Sequence, residues 1–402
     1  MNVALVNPIS STPAYSARDF IGRPNLPSLT ADPRALLETN HVELGAELSR
    51  RGHRVTVLFG DMYMDGREHT LSDRLRVAPV PTRLRVPFHP GLVPVTPELL
   101  RHPALREADV IHVSEFHQPS TFFAALVARE RSVPLVVWQE TFRRMRFPGS
   151  LYQHAFERAV GPCVRATGRR FVPRTTGAAP FLRRLGVDRG QITDWIPTGV
   201  DTLAYSPRTS DVSGRTFGWA DDARILILVA RLHRSKGVDF ALRMLRWLLR
   251  REPRVRLAIR GSGPELGRLR SLATELGVSE SVRFLGRVSR DDMIDLYNAA
   301  EIVLCTSAND LLPFTLIEAS ACGRPCVTSD VGAVRDIVVD GLTGDVVRDR
   351  QVEPFGEAVL SLLRDEERRT AYGRAARARA ESYFALPVVA KSLLEVFRGV
   401  AG

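Results

Sequence analysis

At 402 residues the chain is too long for one ordinary hydrophobic core, so two domains are expected. It is 44% apolar and 25% charged, which excludes a disordered or fibrous chain, and its net charge of +11 draws anionic partners. That charge sits on scattered arginines, and no RNA- or DNA-binding signature occurs. Nucleic acid is therefore set aside in favour of sugar nucleotides or an anionic membrane surface.

The first half repeats a strand-then-helix rhythm. Val3–Val6 reads as a strand that opens the chain with no basic leader before it. Leu36–Arg51 is amphipathic, with Leu37, Leu44 and Leu48 on one face, and Gly52 stands where a helix ends. Strands follow at Val55–Phe59, Val110–Val113 and Pro134–Trp138. Continuous apolar strands alternating with helices predict a parallel sheet covered on both faces. Two long connections break the rhythm, Pro8–Pro33 and Pro79–Pro103, and loops of that length point to function.

A polar stretch, 206–222, is the expected linker. The second half then gives strands at Ile225–Val229, Arg254–Ile259, Ser281–Gly286, Ile302–Thr306 and Arg324–Ser329, with a helix over Val238–Arg250. The tail Pro387–Arg398 is amphipathic and suited to packing back on the first half. The expected fold class is α/β, with one Rossmann-like domain over 1–205, a second over 206–385, and a terminal helix over 386–402.

Cys163, Cys305, Cys322 and Cys326 contain no Cys-x-x-Cys pair and read as thiols of a reducing cytoplasm, not as a metal site. No apolar run is long enough to span a bilayer. The expected location is cytoplasmic, with peripheral contact at the inner membrane face.

Of the 56 basic residues only Lys236 and Lys391 are lysine. Lys236 follows the apolar run Ile225–Val229, in a turn that also carries Arg231. An ammonium is a compact point charge where guanidinium is a planar fork, and the two together form a clamp for a diphosphate. Farther on, Asp310 and Glu318 lie eight residues apart around the turn Pro313-Phe314-Thr315. Backbone amides at the start of a helix there offer an anion site, while one carboxylate accepts from sugar hydroxyls and the other from ribose hydroxyls.

Taken with Arg231-Leu232-(x)3-Lys236-Gly237, several further segments form a pattern. They are Gly261-Ser262-Gly263-Pro264-Glu265, Val282–Gly286, Asp310-(x)7-Glu318, Ala321–Pro325, Ile196–Asp201, Val331–Ala333, Asp340–Gly344 and Arg50–Val55. This pattern resembles the retaining glycosyltransferases of family GT4, over nearly the whole chain. The resemblance implies the GT-B fold, two Rossmann-like domains facing across a cleft, with 1–205 acceptor-binding and 206–385 nucleotide-sugar-binding. It implies that Arg231 and Lys236 neutralise the donor diphosphate, that Glu318 binds the ribose and that Asp310 contacts the transferred sugar. Gly261, Gly263, Arg287, Phe314 and Thr315 join them as donor-binding residues.

Departures from the family pattern stand beside these matches. Asp310 is one methylene shorter than the usual Glu, and Pro313 replaces a usual Gly. Pro8–Ser11 replaces a Gly-Gly turn, and Ser114 takes the place of an active-site His. His117, three residues on, is the candidate to supply that imidazole; packing is the alternative for His112 and His117. No Asp-x-Asp pair occurs in the sequence, so no metal and no cofactor beyond the nucleotide-sugar co-substrate is expected.

The function implied is transfer of a hexosyl unit from a UDP- or GDP-sugar to a hydroxyl of a lipid-linked or envelope glycan. The Pro-rich loops and Arg143-Arg144-Met145-Arg146 are assigned to acceptor choice. Alternatives are a soluble natural-product acceptor such as an aminocyclitol, a non-catalytic sugar-nucleotide-binding protein, and a hydrolase or epimerase of the same fold. A dinucleotide oxidoreductase is disfavoured because Leu266 replaces the third glycine of Gly-x-Gly-x-x-Gly.

Overall fold

The computed structural model describes residues 1–7, 39–61, 66–86, 93–145 and 147–402. Pro8–Pro33, part of Pro79–Pro103 and Arg146 lie outside the described residues. The chain forms two compact units, one of Met1–Gly199 with Leu386–Gly402 and one of Val200–Ala385.

The first unit is built on β1 (Asn2–Val6), β2 (Arg54–Gly60), β3 (His69–Ser72), β4 (Leu75–Val80), β7 (Val110–Ser114), β8 (Leu135–Gln139) and β9 (Gly168–Pro173), with a hairpin of β5 (Leu84–Val86) and β6 (Val93–Val95) beside them. The sheet order is β3-β4-β2-β1-β7-β8-β9, and every pairing is parallel except β3 with β4. Because side chains alternate along a strand, Val3 and Leu5 face one core while Ala4 and Val6 face another. Helix α1 (Asn40–Arg50) covers the first face through Leu44 and Leu48, and α2 (Pro119–Arg131) covers the second through Ala124 and Val127. The terminal helix Leu386–Ala401 lays Val389, Leu393, Leu394 and Phe397 on the α1 side.

The predicted loop from Pro79 starts later, because Pro79 and Val80 pair with Phe59 and Gly60 inside β4.

The second unit carries β10 (Arg224–Val229), β11 (Val255–Arg260), β12 (Val282–Gly286), β13 (Ile302–Cys305), β14 (Cys326–Ser329) and β15 (Gly344–Val347). They form one parallel sheet in the order β12-β11-β10-β13-β14-β15. Helices α3 (Val238–Leu249), α4 (Leu266–Glu275) and α5 (Val352–Arg364) bury Leu242, Leu245, Leu269 and Phe355 against Leu226, Leu228, Leu257 and Leu304.

The stretch 206–222 is not a free linker: it lies within this second unit. Trp219 is buried and its indole N–H donates to Glu280 O (2.9 Å), while Arg208 bonds Asp295 and the Asn298 side chain. Polar composition hid those anchors.

Candidate functional site

In an open parallel sheet, ligands bind beyond the carboxyl ends of the strands where the order reverses. In the second unit that reversal lies between β10 and β13. The two loops leaving those strands carry Arg231 and Lys236 on one side and Asp310 on the other. Lys236 Nζ donates to Asp310 Oδ2 at 2.5 Å, with both side chains mostly enclosed. Asp310 also accepts from Ser307 Oγ (3.3 Å) and from its neighbour's amide at Leu311 (3.0 Å). Arg231 is half-buried, and among the described residues no carboxylate takes it.

The loops are held to each other by backbone. The amides of Ala308 and Asn309 donate to Ser235 O at 2.8 and 3.2 Å, and Thr306 Oγ1 donates to Gly237 O at 3.0 Å. This approach requires glycine at 237, where φ is +64° and a Cβ would stand 2.1 Å from Thr306 O. Arg350 backs the same corner, its Nε donating to Thr306 O at 3.1 Å. The cation therefore sits on a rigid turn, which a preorganised anion site needs.

Gly261 and Gly263 have a different local cause. A Cβ at Gly261 would meet Ala230 O at 1.8 Å, and one at Gly263 would meet Leu232 O at 2.4 Å. Leu232 N donates to Ser262 O and Glu265 N to Leu232 O, so the β11 loop lies directly on the β10 loop. Their missing side chains are accounted for by this packing behind Arg231. Arg287 leaves the edge strand β12, with β11 between it and β10, and is exposed.

Helix α6 (Phe314–Ala321) begins behind Pro313 with no side-chain cap, leaving its first amides to other acceptors. One turn in, Glu318 Oε2 accepts from Tyr297 O–H at 2.7 Å. Burial pushes the Glu318 carboxyl above its ordinary value, against the opposing pull of the Tyr297 and Tyr205 phenols and of Arg260 and Arg290. Burial likewise raises Tyr297, with the Glu318 charge second. A carboxylate held buried at that cost and already accepting from phenol hydroxyls suits the paired hydroxyls of a diol.

The first unit departs from expectation. Ser114 ends β7, but the imidazole bonded to it is His41, not His117. His41 Nε2 lies 2.9 Å from Ser114 Oγ, and its Nδ1 lies 2.9 Å from Asn7 Nδ2. His117 is instead tied to Glu157 (2.9 Å) and packed on Phe116, Phe156 and Phe181, because the turn after β7 sends it under the helix Gly149–Ala159. His112 lies in the core between Trp138 and Phe397 with neither ring nitrogen bonded; burial, then Arg174, lowers it to about 3. His41 was missed because its partners are distant in sequence. Its one local trace is a polar residue at the buried phase of α1, seven before Leu48.

Among the described residues no group of three His, Cys, Asp or Glu could hold a metal ion, and no helix is long and apolar enough to cross a membrane.

Residues 38–193 match the glycosyl transferase 4-like domain, and residues 213–379 match glycosyl transferases group 1. The D-inositol 3-phosphate glycosyltransferase of Nocardia farcinica is 32% identical over 319 residues, covering 76% of this chain and 70% of that protein. The chain belongs to glycosyltransferase family GT4. The Saccharomonospora viridis enzyme of the same name is 28% identical to this GT4 chain over 385 residues, 89% of each. The GT-B fold is shared with Anabaena HepE, solved in complex with UDP (TM-score 0.74, 15% identity, 99% of this chain and all of that one). It is shared too with sucrose-phosphate synthase of Thermosynechococcus elongatus (TM-score 0.72, 18% identity, 99% and 98%). This GT4 chain is a glycosyltransferase, and the strand reversal carrying Lys236 and Asp310 is where such a sheet takes its ligand.

Proposed function

We propose that this glycosyltransferase moves a hexosyl unit from a nucleoside-diphosphate sugar to an acceptor hydroxyl with retained anomeric configuration. The observation that carries the reading is the Lys236–Asp310 contact at the β10/β13 reversal. It sets a cation for the diphosphate against a carboxylate for the sugar hydroxyls. Arg231 adds the second cation, the amides of Phe314 and Thr315 add donors, and Glu318 takes the ribose.

In front-face transfer the leaving diphosphate must be stabilised strongly, and it can itself receive the acceptor's proton. The carbon–oxygen bond to the diphosphate breaks as the acceptor oxygen bonds the same face. Asp310, committed to Lys236, Ser307 and the Leu311 amide, is placed to accept from hydroxyls rather than to attack carbon. With two cations assigned to the diphosphate, we read the reaction as metal-independent, so a chelator should leave turnover unchanged.

UDP complexes of the HepE neighbour and the inositol phosphate named in the relatives' activity support a UDP-sugar and a polyol acceptor. The net charge of +11 also suits a lipid-linked or envelope glycan at an anionic membrane face, with the protein in the cytoplasm. A screen of UDP-, GDP- and ADP-sugars for cleavage, with polyol phosphates and lipid-linked glycans as acceptors, tests this reading. Nucleoside diphosphate release from one donor is expected; release from none contradicts it.

A further inference from the structure

The reversal in the first sheet lies between β1 and β7, and the residues at their carboxyl ends, Asn7 and Ser114, are joined through His41. We propose that Ser114 is this unit's hydrogen-bond donor to an uncharged hydroxyl of the acceptor, with His41 the positioning residue that aims it. This rests on the reading that the chain glycosylates a hydroxyl.

The direction of the chain follows from its chemistry. Asn7 Nδ2 can only donate, so His41 Nδ1 is the unprotonated nitrogen and Nε2 carries the hydrogen. Nε2–H then donates to Ser114 Oγ, which leaves the serine's own hydrogen to turn toward a ligand oxygen. A nucleophilic serine needs the opposite tautomer, with an acceptor behind the imidazole. With the Asn7 amide nitrogen on Nδ1 the ring holds the other tautomer, so the arrangement is a donor rather than a nucleophile.

The charges nearby agree. Burial first, then Arg174 and His112, hold His41 well below its ordinary value, so the ring is neutral. Arg174 stacks 4.3 Å over Trp138, pairs with Glu140 at 3.1 Å and is bonded to Thr198. Among the described residues the arginine acting on this spot, Arg174, is thus already committed, which favours a neutral hydroxyl over an anion.

The backbone agrees as well. Glu115, directly after Ser114, holds φ at +71°, a conformation costly for a residue with a Cβ. Its carboxylate clamps the turn, accepting from Gln139 Nε2 (2.8 Å) and the Glu140 amide (2.7 Å). These contacts hold the turn that follows Ser114, and His41 holds its hydroxyl.

The test is steady-state kinetics of the full chain with acceptor varied at saturating donor. Ser114→Ala should raise the acceptor KM about 3- to 30-fold, as for a lost hydrogen bond, with donor KM little changed. His41→Phe should match it, and His41→Gln, which keeps a donor for Ser114, should recover most of the loss. Asn7→Asp should reverse the tautomer and bring into kcat/KM an ionisation between about pH 6 and 8 that the parent lacks. An unchanged acceptor KM in Ser114→Ala, or that ionisation in the parent enzyme, overturns the proposal. Should Asn7→Asp fail to fold, the Ser114 and parent profiles still decide. A parent that cleaves no nucleotide sugar overturns the broader reading as well; an active parent indifferent to Ser114→Ala overturns this one alone.

Discussion

Lys236 Nζ and Asp310 Oδ2 stand 2.5 Å apart although 74 residues separate them in the chain. The contact joins the loops of two strands that flank the sheet's reversal, so it forms only when the second unit is correctly assembled. In the proposed reaction a diphosphate arriving there would meet a cation already placed and share it with Asp310.

Removing that cation is the sharpest mutational test. Lys236→Ala should lower turnover by about 100-fold or more, as when a preorganised donor to a developing anion is lost. Lys236→Arg should fail as well, since the fork is longer and planar and Gly237 leaves the backbone no room to retreat. Near-normal turnover in either variant, with an unchanged melting temperature, contradicts the clamp.

Glu318, proposed to take the ribose, is held at a cost in stability. Its carboxyl is raised by burial, so the folded protein bears a desolvation penalty that appears as pH climbs past the ordinary carboxylate range. Glu318→Gln should therefore bind nucleoside diphosphate more weakly yet melt no lower at neutral pH. Its melting temperature relative to the parent should rise as pH climbs above the ordinary carboxylate range, where the unfolded chain loses this proton before the folded one does. A difference that shrinks with pH would show that the charge is stabilising there.

His112 gives the opposite slope. Its folded value near 3 lies below that of the unfolded chain, so protons bind the unfolded state first and stability falls as pH drops from about 6.5 toward 3. With both ring nitrogens buried and unbonded, His112→Leu should raise stability by about 1 kcal/mol or more. The gain should be larger at pH 5 than at pH 8 by thermal melting. An equal loss at both would mean that the ring has an acceptor.

Much of this site was legible because its signals are local. Apolar runs marked β10, β11 and β13, and the sole lysine of the second unit stood directly after one of them. The register that brings Lys236 to Asp310 is long-range, and only the family pattern suggested it. Strand β9 went unseen because Arg169 and Arg170 interrupt its apolar run, and β15 because Gly344–Val347 is short. His41 and Ser114 are 73 apart, and no spacing rule links them.

Two glycines separate packing from permissiveness. Gly261→Ala puts a Cβ 1.8 Å from Ala230 O at φ +143° and should cost the second unit several kcal/mol, read as a large drop in melting temperature. Gly267→Ala, in helix α4 with nothing within 4 Å, should instead stabilise by about 0.5–1 kcal/mol. Equal effects would contradict the loop-on-loop packing behind Arg231.

The proposed transfer retains the anomeric configuration through a diphosphate-stabilised front-face path. Proton NMR of the product isolated from the donor and acceptor that the screen identifies tests it most directly. The product should carry the same anomeric configuration as the nucleotide sugar. An inverted anomeric centre would contradict it.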